Sequence, residues 1–111
     1  MIYVEVGYDS YGRINRVVSR GHGTKIGGIS IPCSHVTSSL KVFGKILTMR
    51  SGVDISGKSR GPGDLEFQIE GLTDENVQWF MGVQDFFLAA IQDLEKHFPQ
   101  EVRINIQKGK E

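Results

Sequence analysis

Two stretches with the period of an α-helix constrain the fold of this chain more than any other feature. The first presents one apolar face, with residues spaced four, three and four apart: Val36, Leu40, Phe43 and Leu47. The second has a broader apolar stripe: Val77, Phe80, Met81, Phe87, Leu88, Ile91 and Leu94. Both faces must be buried, and a chain of 111 residues is long enough for one core. We therefore expect one domain, residues 1–111, with two helices.

Apolar and polar residues alternate on both sides of the helices, which indicates strands. Residues 2–6 and 14–19 are predicted as the two strands of a hairpin, with a turn at residues 9–12. Residues 53–55, 65–69 and 102–106 supply three further strands. The order ββαββαβ predicts a small α+β domain in two layers, with both helices on one face of the sheet.

The ends of the elements carry local signals. Ser30 is a candidate N-cap for a first helix over residues 32–49, although Ile31 can also occupy that position. Thr73 is a candidate cap for the second helix. Residues 57–63, rich in glycine, are predicted as a loop. Gly44 and Gly82 fall inside the helices, and we attribute both to close packing against the sheet or a second subunit.

Composition excludes several classes of protein. One cysteine cannot form an intramolecular disulfide or a multi-cysteine zinc site. Three histidines and one cysteine without metal-ligand spacing do not make a zinc site either, so we expect no metal, and we expect no cofactor. Equal numbers of basic and acidic residues, 13 each, argue against a nucleic-acid module. No apolar run approaches the roughly 20 residues of a membrane helix, and residues 1–5 lack a signal-peptide pattern. A cytoplasmic protein is the expectation.

Cys33 lies close to the predicted start of the first helix. There the helix dipole and the free backbone N–H groups favour a thiolate, which is the nucleophilic form of cysteine. The same N–H groups can stabilise an oxyanion. The alternative interpretation is a buried, inert cysteine, which is the commoner fate of a lone thiol.

His22 lies in a segment with four glycines among residues 21–28, directly between Gly21 and Gly23. A histidine without bulky neighbours, close in sequence to a candidate nucleophile, can act as a general base. The alternative is an exposed loop histidine without a catalytic role. His35 follows Cys33 by two residues, about 200° around the helix, and is a poor base for it.

Two features suggest phosphate or RNA binding, and each has a simpler interpretation. Residues 52–59 match the phosphate-loop pattern GxxxxGK[ST], but the pattern requires a strand before it and a helix after it. We interpret it as a hairpin loop. Arg13, Arg16, Arg20 and Lys25 make the first third of the chain basic, which could meet RNA or an acidic surface, but the zero net charge favours a solvated strand face plus a loop.

Three segments together resemble a known family: Tyr11-Gly12-Arg13-Ile14, Ser19-Arg20-Gly21-His22-Gly23 and Ile31-Pro32-Cys33-Ser34-His35-Val36-Thr37. They are similar to the Asp-Gly-Arg-Ile turn, the Ser-Gly-His-Ala strand end and the Cys-Ala-Ala-Val-Ser helix start of the ribosomal-processing cysteine protease family, Prp. The resemblance covers essentially the whole chain. Ser30 stands where the family commonly has an acidic residue.

The resemblance implies a cytoplasmic cysteine endopeptidase that removes a short N-terminal extension from a large-subunit ribosomal protein. It implies Cys33 as nucleophile and His22 as general base, with Gly21, Gly23, Ser34 and Thr37 in supporting or substrate-binding positions. It also implies a homodimer, for which Trp79 and Phe86 lie suitably off the main apolar stripe, where they can equally line a substrate groove. A non-catalytic ribosome-associated binding domain of the same fold is the alternative, and an RNA- or phosphate-binding module is a third.

Overall fold

The computed structural model describes residues 1–21, 30–61 and 64–108. The elements follow in the order β1 (Ile2–Tyr8), β2 (Ile14–Gly21), α1 (Ile31–Thr48), β3 (Val53–Gly61), β4 (Asp64–Leu72), a 3-10 turn (Asp74–Asn76), α2 (Val77–His97) and β5 (Val102–Lys108). This order confirms the predicted α+β class and the ββαββαβ sequence of elements.

The five strands form one sheet in the order β3-β4-β2-β1-β5. The β1–β2, β2–β4 and β3–β4 pairs are antiparallel, whereas β5 runs parallel to β1. The parallel pair requires a crossover connection, which α2 supplies between β4 and β5. The edges of the sheet are therefore β3 and β5.

One face of the sheet carries the core. Val4 and Val6 of β1 are completely buried, whereas Tyr3, which precedes Val4 in the same strand, is 55% exposed. The two helices cover the buried face, and their apolar residues join the strand residues in one cluster. Phe43 of α1 stacks on Phe87 of α2, with ring centroids 4.1 Å apart, so the helices also pack against each other. This is the two-layer arrangement that the sequence predicts.

The predicted loop at residues 57–63 is wrong for most of its length. β3 continues to Gly61, and β4 begins at Asp64. Gly57 pairs with Phe67 and Ser59 pairs with Leu65 in a continuous antiparallel ladder. Glycine weakens a strand through its conformational freedom, but pairing with the apolar strand β4 outweighs this local preference.

The helix starts confirm one predicted cap and modify the other. Ser30 is the N-cap of α1, because its side chain accepts a hydrogen bond from the backbone of Cys33. Thr73 precedes the 3-10 turn, but its hydroxyl accepts from the Asn76 side chain at 2.9 Å and makes no capping bond to the backbone. Among the residues described, no helix is long and apolar enough to cross a membrane.

Candidate active site

Cys33 occupies the third position of α1, where the helix start fixes its surroundings. Its backbone N–H donates to Ser30 Oγ at 3.3 Å, and the Ser34 N–H donates to the Ser30 carbonyl at 3.0 Å. The thiol is free and half-buried, and it packs beside the apolar core. Cys33 is therefore partly exposed, and its backbone is held in a regular helix.

The start of α1 keeps few backbone donors for an anion. Pro32 has no N–H, and those of Cys33 and Ser34 already donate to Ser30. Within the described part of the chain, the Ile31 N–H is the donor in the first turn that has no partner. An oxyanion at this helix end would therefore bind Ile31 N–H, or compete with the Ser30 hydroxyl for Cys33 N–H.

The chain topology brings the start of α1 to the end of the sheet at which β2 stops. α1 ends at Thr48, and β3 begins at Val53 opposite Leu72, so four residues connect them. The helix therefore starts toward the opposite end of the sheet, where Gly21 ends β2. Cys33 and the last residue before His22 consequently lie at the same end of the molecule.

Gly21 has a structural requirement of its own. Its φ is +94°, in the region that favours glycine, and a Cβ there would lie 2.2 Å from the Met1 carbonyl oxygen. No other residue fits at this point without moving the first strand. The predicted base His22 and Gly23 fall in residues 22–29, outside the described part of the chain, so the Cys33–His22 dyad stays a prediction.

The other predicted site residues lie along the first turns of α1. Thr37 is half-buried one turn after Cys33 on the same face of the helix, whereas Ser34 is exposed. His35 is also exposed, and it points away from the thiol because two residues turn the helix by about 200°. Thr37 is thus the predicted supporting side chain that shares the face of Cys33.

The phosphate-loop pattern does not have the structure that phosphate binding needs. Residues 52–59 comprise a turn residue, Gly52, and most of strand β3. A second strand, β4, follows where a phosphate loop requires a helix. The match does lie in a β-hairpin, but in its first strand rather than in the predicted loop.

Two grooves run along α1, one on each side. Between α1 and α2 lies an apolar groove of about 690 Å³, lined by residues that include Val42, Trp79, Gly82 and Phe86. Between α1 and β3 lies a smaller trough of about 410 Å³, lined by residues that include Gly44 and Gly57. A Cβ at Gly44 or Gly82 would meet nothing within 4 Å, so the expected close packing of these glycines against the sheet is wrong.

The trough between α1 and β3 is the feature that sequence reasoning missed. The sequence predicts a loop at Gly57 and close packing at Gly44, and neither prediction indicates a cavity. A signal was present: the spacing from Cys33 to Leu40 and Gly44 is seven and eleven residues, which places all three on one helical face. The presence of a strand opposite that face was not evident from the sequence.

The arrangement of sheet and helices is that of known structures. The ribosomal processing protease Prp from S. aureus, in complex with a covalently linked product peptide, superimposes with a TM-score of 0.74 and 22% identity. The match covers 96% of this chain and 99% of that chain. This chain has the Prp fold.

Other solved structures share the Prp fold with this chain. SMU.848 from Streptococcus mutans matches with a TM-score of 0.77 and 19% identity, over 98% of this chain and 96% of that one. A hypothetical protein from Staphylococcus aureus matches with a TM-score of 0.70 and 14% identity, over 96% and 99%. No protein-family model matches the chain, and no curated protein matches it.

Proposed function

We propose that this chain is a cysteine endopeptidase that removes an N-terminal extension from a large-subunit ribosomal protein in the cytoplasm. In this proposal residues 1–111 form one catalytic domain, with Cys33 as nucleophile and His22 as general base. One observation carries it: a free, half-buried cysteine lies in the first turn of a helix, in a fold shared with Prp bound to a peptide.

The reaction follows from the chemistry of these two side chains. His22 takes the proton from Cys33 Sγ, and the thiolate attacks the carbonyl carbon of the scissile peptide bond. The oxyanion is stabilised by the backbone N–H groups at the start of α1, of which Ile31 N–H is available and Cys33 N–H can be released by Ser30. The imidazolium then gives its proton to the leaving amine as the C–N bond breaks. Water, deprotonated by His22, hydrolyses the thioester and returns the thiol.

The supporting residues act on the position of this dyad. Gly21 ends β2 in a conformation that only glycine adopts easily, and so sets the direction in which the chain continues to His22. Gly23 follows His22 in the sequence and carries no side chain that could obstruct a substrate. Thr37 shares the Cys33 face of α1 and is a candidate partner for His22, and we assign the exposed Ser34 to contact with substrate.

A homodimer through the α1–α2 groove is part of the proposal. Phe86 is 75% exposed and Val42 is 51% exposed, and both line this groove. Trp79 lies on the same groove with the Arg50 guanidinium 4.6 Å from its ring centroid. Exposed apolar groups that cluster on one surface favour burial against another protein.

The decisive experiment uses the candidate ribosomal protein of the same organism as substrate. The wild-type chain should release the N-terminal extension, and Cys33→Ala and His22→Ala should not. His35→Ala is the matched control, because His35 is a second histidine near Cys33 on the exposed side of α1 and should retain activity. Equal cleavage by wild type and Cys33→Ala, or cleavage by neither, would refute the protease assignment.

A non-catalytic ribosome-associated binding domain is the alternative, and the same experiment separates the two. Such a domain would bind the ribosomal protein without cleaving it, and Cys33→Ala would bind as well as wild type. The third candidate, an RNA- or phosphate-binding module, is disfavoured because residues 52–59 belong largely to a strand that another strand follows.

A further inference from the structure

The trough between α1 and β3 is a largely apolar channel with one glycine on each side. Its lining includes the apolar residues Leu40, Ile55, Leu65 and Phe67. Gly44 lines it from the helix and Gly57 from the strand; a Cβ at Gly44 would meet nothing within 4 Å, whereas a Cβ at Gly57 would lie 3.3 Å from Phe67 Cβ. The space of about 410 Å³ is large enough for one or two side chains of a ligand.

The trough lies on the same face of α1 as the candidate nucleophile. Leu40 and Gly44 follow Cys33 by seven and eleven residues, which correspond to about two and three helical turns. At 1.5 Å per residue, Gly44 is roughly 16 Å from Cys33 along the helix. An extended peptide spans that distance with about five residues. A substrate held at Cys33 can therefore reach the trough.

The trough is bordered by the edge strand of the sheet. Among the described residues, β3 is the last strand on its side of the sheet, so half of its backbone groups face away from β4. At the opposite edge of the sheet, by contrast, a side chain occupies a backbone donor: Glu95 Oε2 of α2 accepts a hydrogen bond from the Ile104 N–H of β5 at 2.8 Å. An outward-facing edge beside an apolar groove is the geometry by which domains bind extended peptides as an added strand.

The positive charge of α1 beside the trough favours an acidic peptide. α1 contains no acidic residue, and Lys41 and Lys45 line the trough with exposed side chains. These cations, one turn apart, complement carboxylates that alternate along an extended chain. The apolar floor favours a peptide over RNA, which has no apolar side chains to fill it.

We propose that this trough binds an extended acidic segment of a protein, which adds to β3 and places an apolar side chain between Gly44 and Gly57. The acidic side chains of the segment pair with Lys41 and Lys45. Only one part of this inference rests on the proposed function: that the segment belongs to the substrate, about five residues from the scissile bond. The binding itself does not depend on cleavage.

The test measures binding to the Cys33→Ala chain by fluorescence anisotropy. The probe is a labelled peptide of about eight residues in which every second residue is Ser and the residues between them are Glu and Val in turn, so that Glu and Val project from the same face of the strand; its comparison replaces each Glu by Lys. The Glu peptide should bind at least about tenfold more tightly, and binding should weaken with added salt. Methylating alternate backbone amides should abolish binding for one of the two possible sets, as strand addition requires.

A matched pair of glycine variants locates the site. Gly44→Leu fills the trough and should weaken binding of the Glu peptide at least about tenfold, while raising helix propensity rather than lowering it. Gly82→Leu makes the same change in α2, on the other groove, and should bind the peptide as the parent does. Equal affinities of the two variants would overturn the proposal.

Charge variants test the acidic preference separately. Lys41→Gln with Lys45→Gln should weaken binding about three- to tenfold, whereas Lys96→Gln in the last turn of α2 should not change it. Single-stranded RNA that binds more tightly than the Glu peptide, or a Lys peptide that binds equally well, would also overturn the proposal. If the wild-type chain fails to cleave its ribosomal protein while peptide binding follows the Gly44 and lysine variants, the proposed function fails and this site stands.

Discussion

The hydroxyl of Ser30 accepts a hydrogen bond from the backbone N–H of Cys33 at 3.3 Å. Ser30 is almost completely buried, and its carbonyl also accepts from the Ser34 N–H. One residue thus satisfies two of the unpaired donors at the start of α1. Its hydroxyl also occupies the Cys33 N–H, which is one of the donors that an oxyanion would use in the proposed reaction, so the cap and the candidate oxyanion site are coupled.

Removing this cap should destabilise the chain measurably. Ser30→Ala leaves the Cys33 N–H without its partner, and we expect a loss of about 1 kcal/mol in the free energy of unfolding. Ser30→Asp keeps an acceptor at the same point and should lose less. Urea unfolding measures both. Ser38→Ala, at an exposed position within the same helix, is the control and should change stability by less than about 0.5 kcal/mol. A loss no larger at Ser30 than at Ser38 would contradict the capping role.

Gly21 and Gly12 provide a matched test of the strand end that precedes His22. Both have positive φ, +94° and +77°, but a Cβ at Gly21 would collide with the Met1 carbonyl oxygen and a Cβ at Gly12 would meet nothing within 4 Å. Gly12→Ala should therefore cost about 1 kcal/mol for the backbone conformation alone. Gly21→Ala should cost at least about 2 kcal/mol, because the clash adds to the strain. Thermal unfolding of the two variants measures the difference. Equal losses would show that β1 gives way at Met1.

The fold follows from the sequence where periodicity and pairing agree. The apolar face of α1 and the alternation in β1 can be predicted from the local sequence alone, because the spacing of apolar residues, 3.6 in a helix and 2 in a strand, does not depend on the neighbouring elements. β3 cannot be predicted in this way, because Gly57 and its neighbours become a strand only through pairing with β4. Local sequence cannot report which partner a glycine-rich segment will meet.

The candidate site divides in the same way. The position of Cys33 in the first turn of a helix follows from Pro32 and Ser30, which are local signals. The trough opposite Gly44 depends on a strand at residues 53–61, and the donors left for an oxyanion depend on which N–H groups Ser30 occupies. Both depend on tertiary contacts or hydrogen bonds, which the spacing of residues in the sequence does not reveal.

Gln84 illustrates a residue whose role was hidden in the apolar stripe of α2. Its side chain accepts from the Ile14 N–H at 2.6 Å and donates to the Gly12 carbonyl at 2.9 Å, and it is 3% exposed. It thereby fixes the β1–β2 hairpin to the helix. Gln84→Leu should cost about 2 kcal/mol in the free energy of unfolding, because two backbone groups lose their partners. Gln92→Leu, exposed on the same helix, should cost far less in the same chemical denaturation experiment. Equal losses would mean that water replaces the side chain.

Tyr8 should make stability depend on pH in alkaline solution. Burial, and then the nearby Asp85 carboxylate, raise the pKa of the Tyr8 phenol above its ordinary value of 10.0. The unfolded chain therefore loses this proton at lower pH than the folded chain does, and stability falls as the pH rises from about 10 toward the folded pKa. Tyr8→Phe should reduce that fall, whereas Tyr3→Phe, on an exposed ring, is the control. Denaturation midpoints between neutral pH and the alkaline range measure the slope. Identical slopes for Tyr8→Phe and wild type would rule out this contribution.

Phe86 should decide whether the α1–α2 groove joins two copies of the chain. Its ring is 75% exposed on the apolar groove, so burial against a second copy would stabilise a dimer through the hydrophobic effect. Phe86→Ser should shift sedimentation toward the monomer at concentrations where the wild type is dimeric.

Tyr11→Ser is the matched control, because Tyr11 is 76% exposed but lies in the β1–β2 turn, away from the groove. Sedimentation velocity over a range of concentrations gives the dissociation constant of each variant. A wild type that is monomeric throughout, or an unchanged constant for Phe86→Ser, would show that this groove does not form the dimer. Since Phe86 lies on the opposite side of α1 from the trough, the variant should still bind the Glu peptide, and loss of both properties would point to a general loss of structure instead.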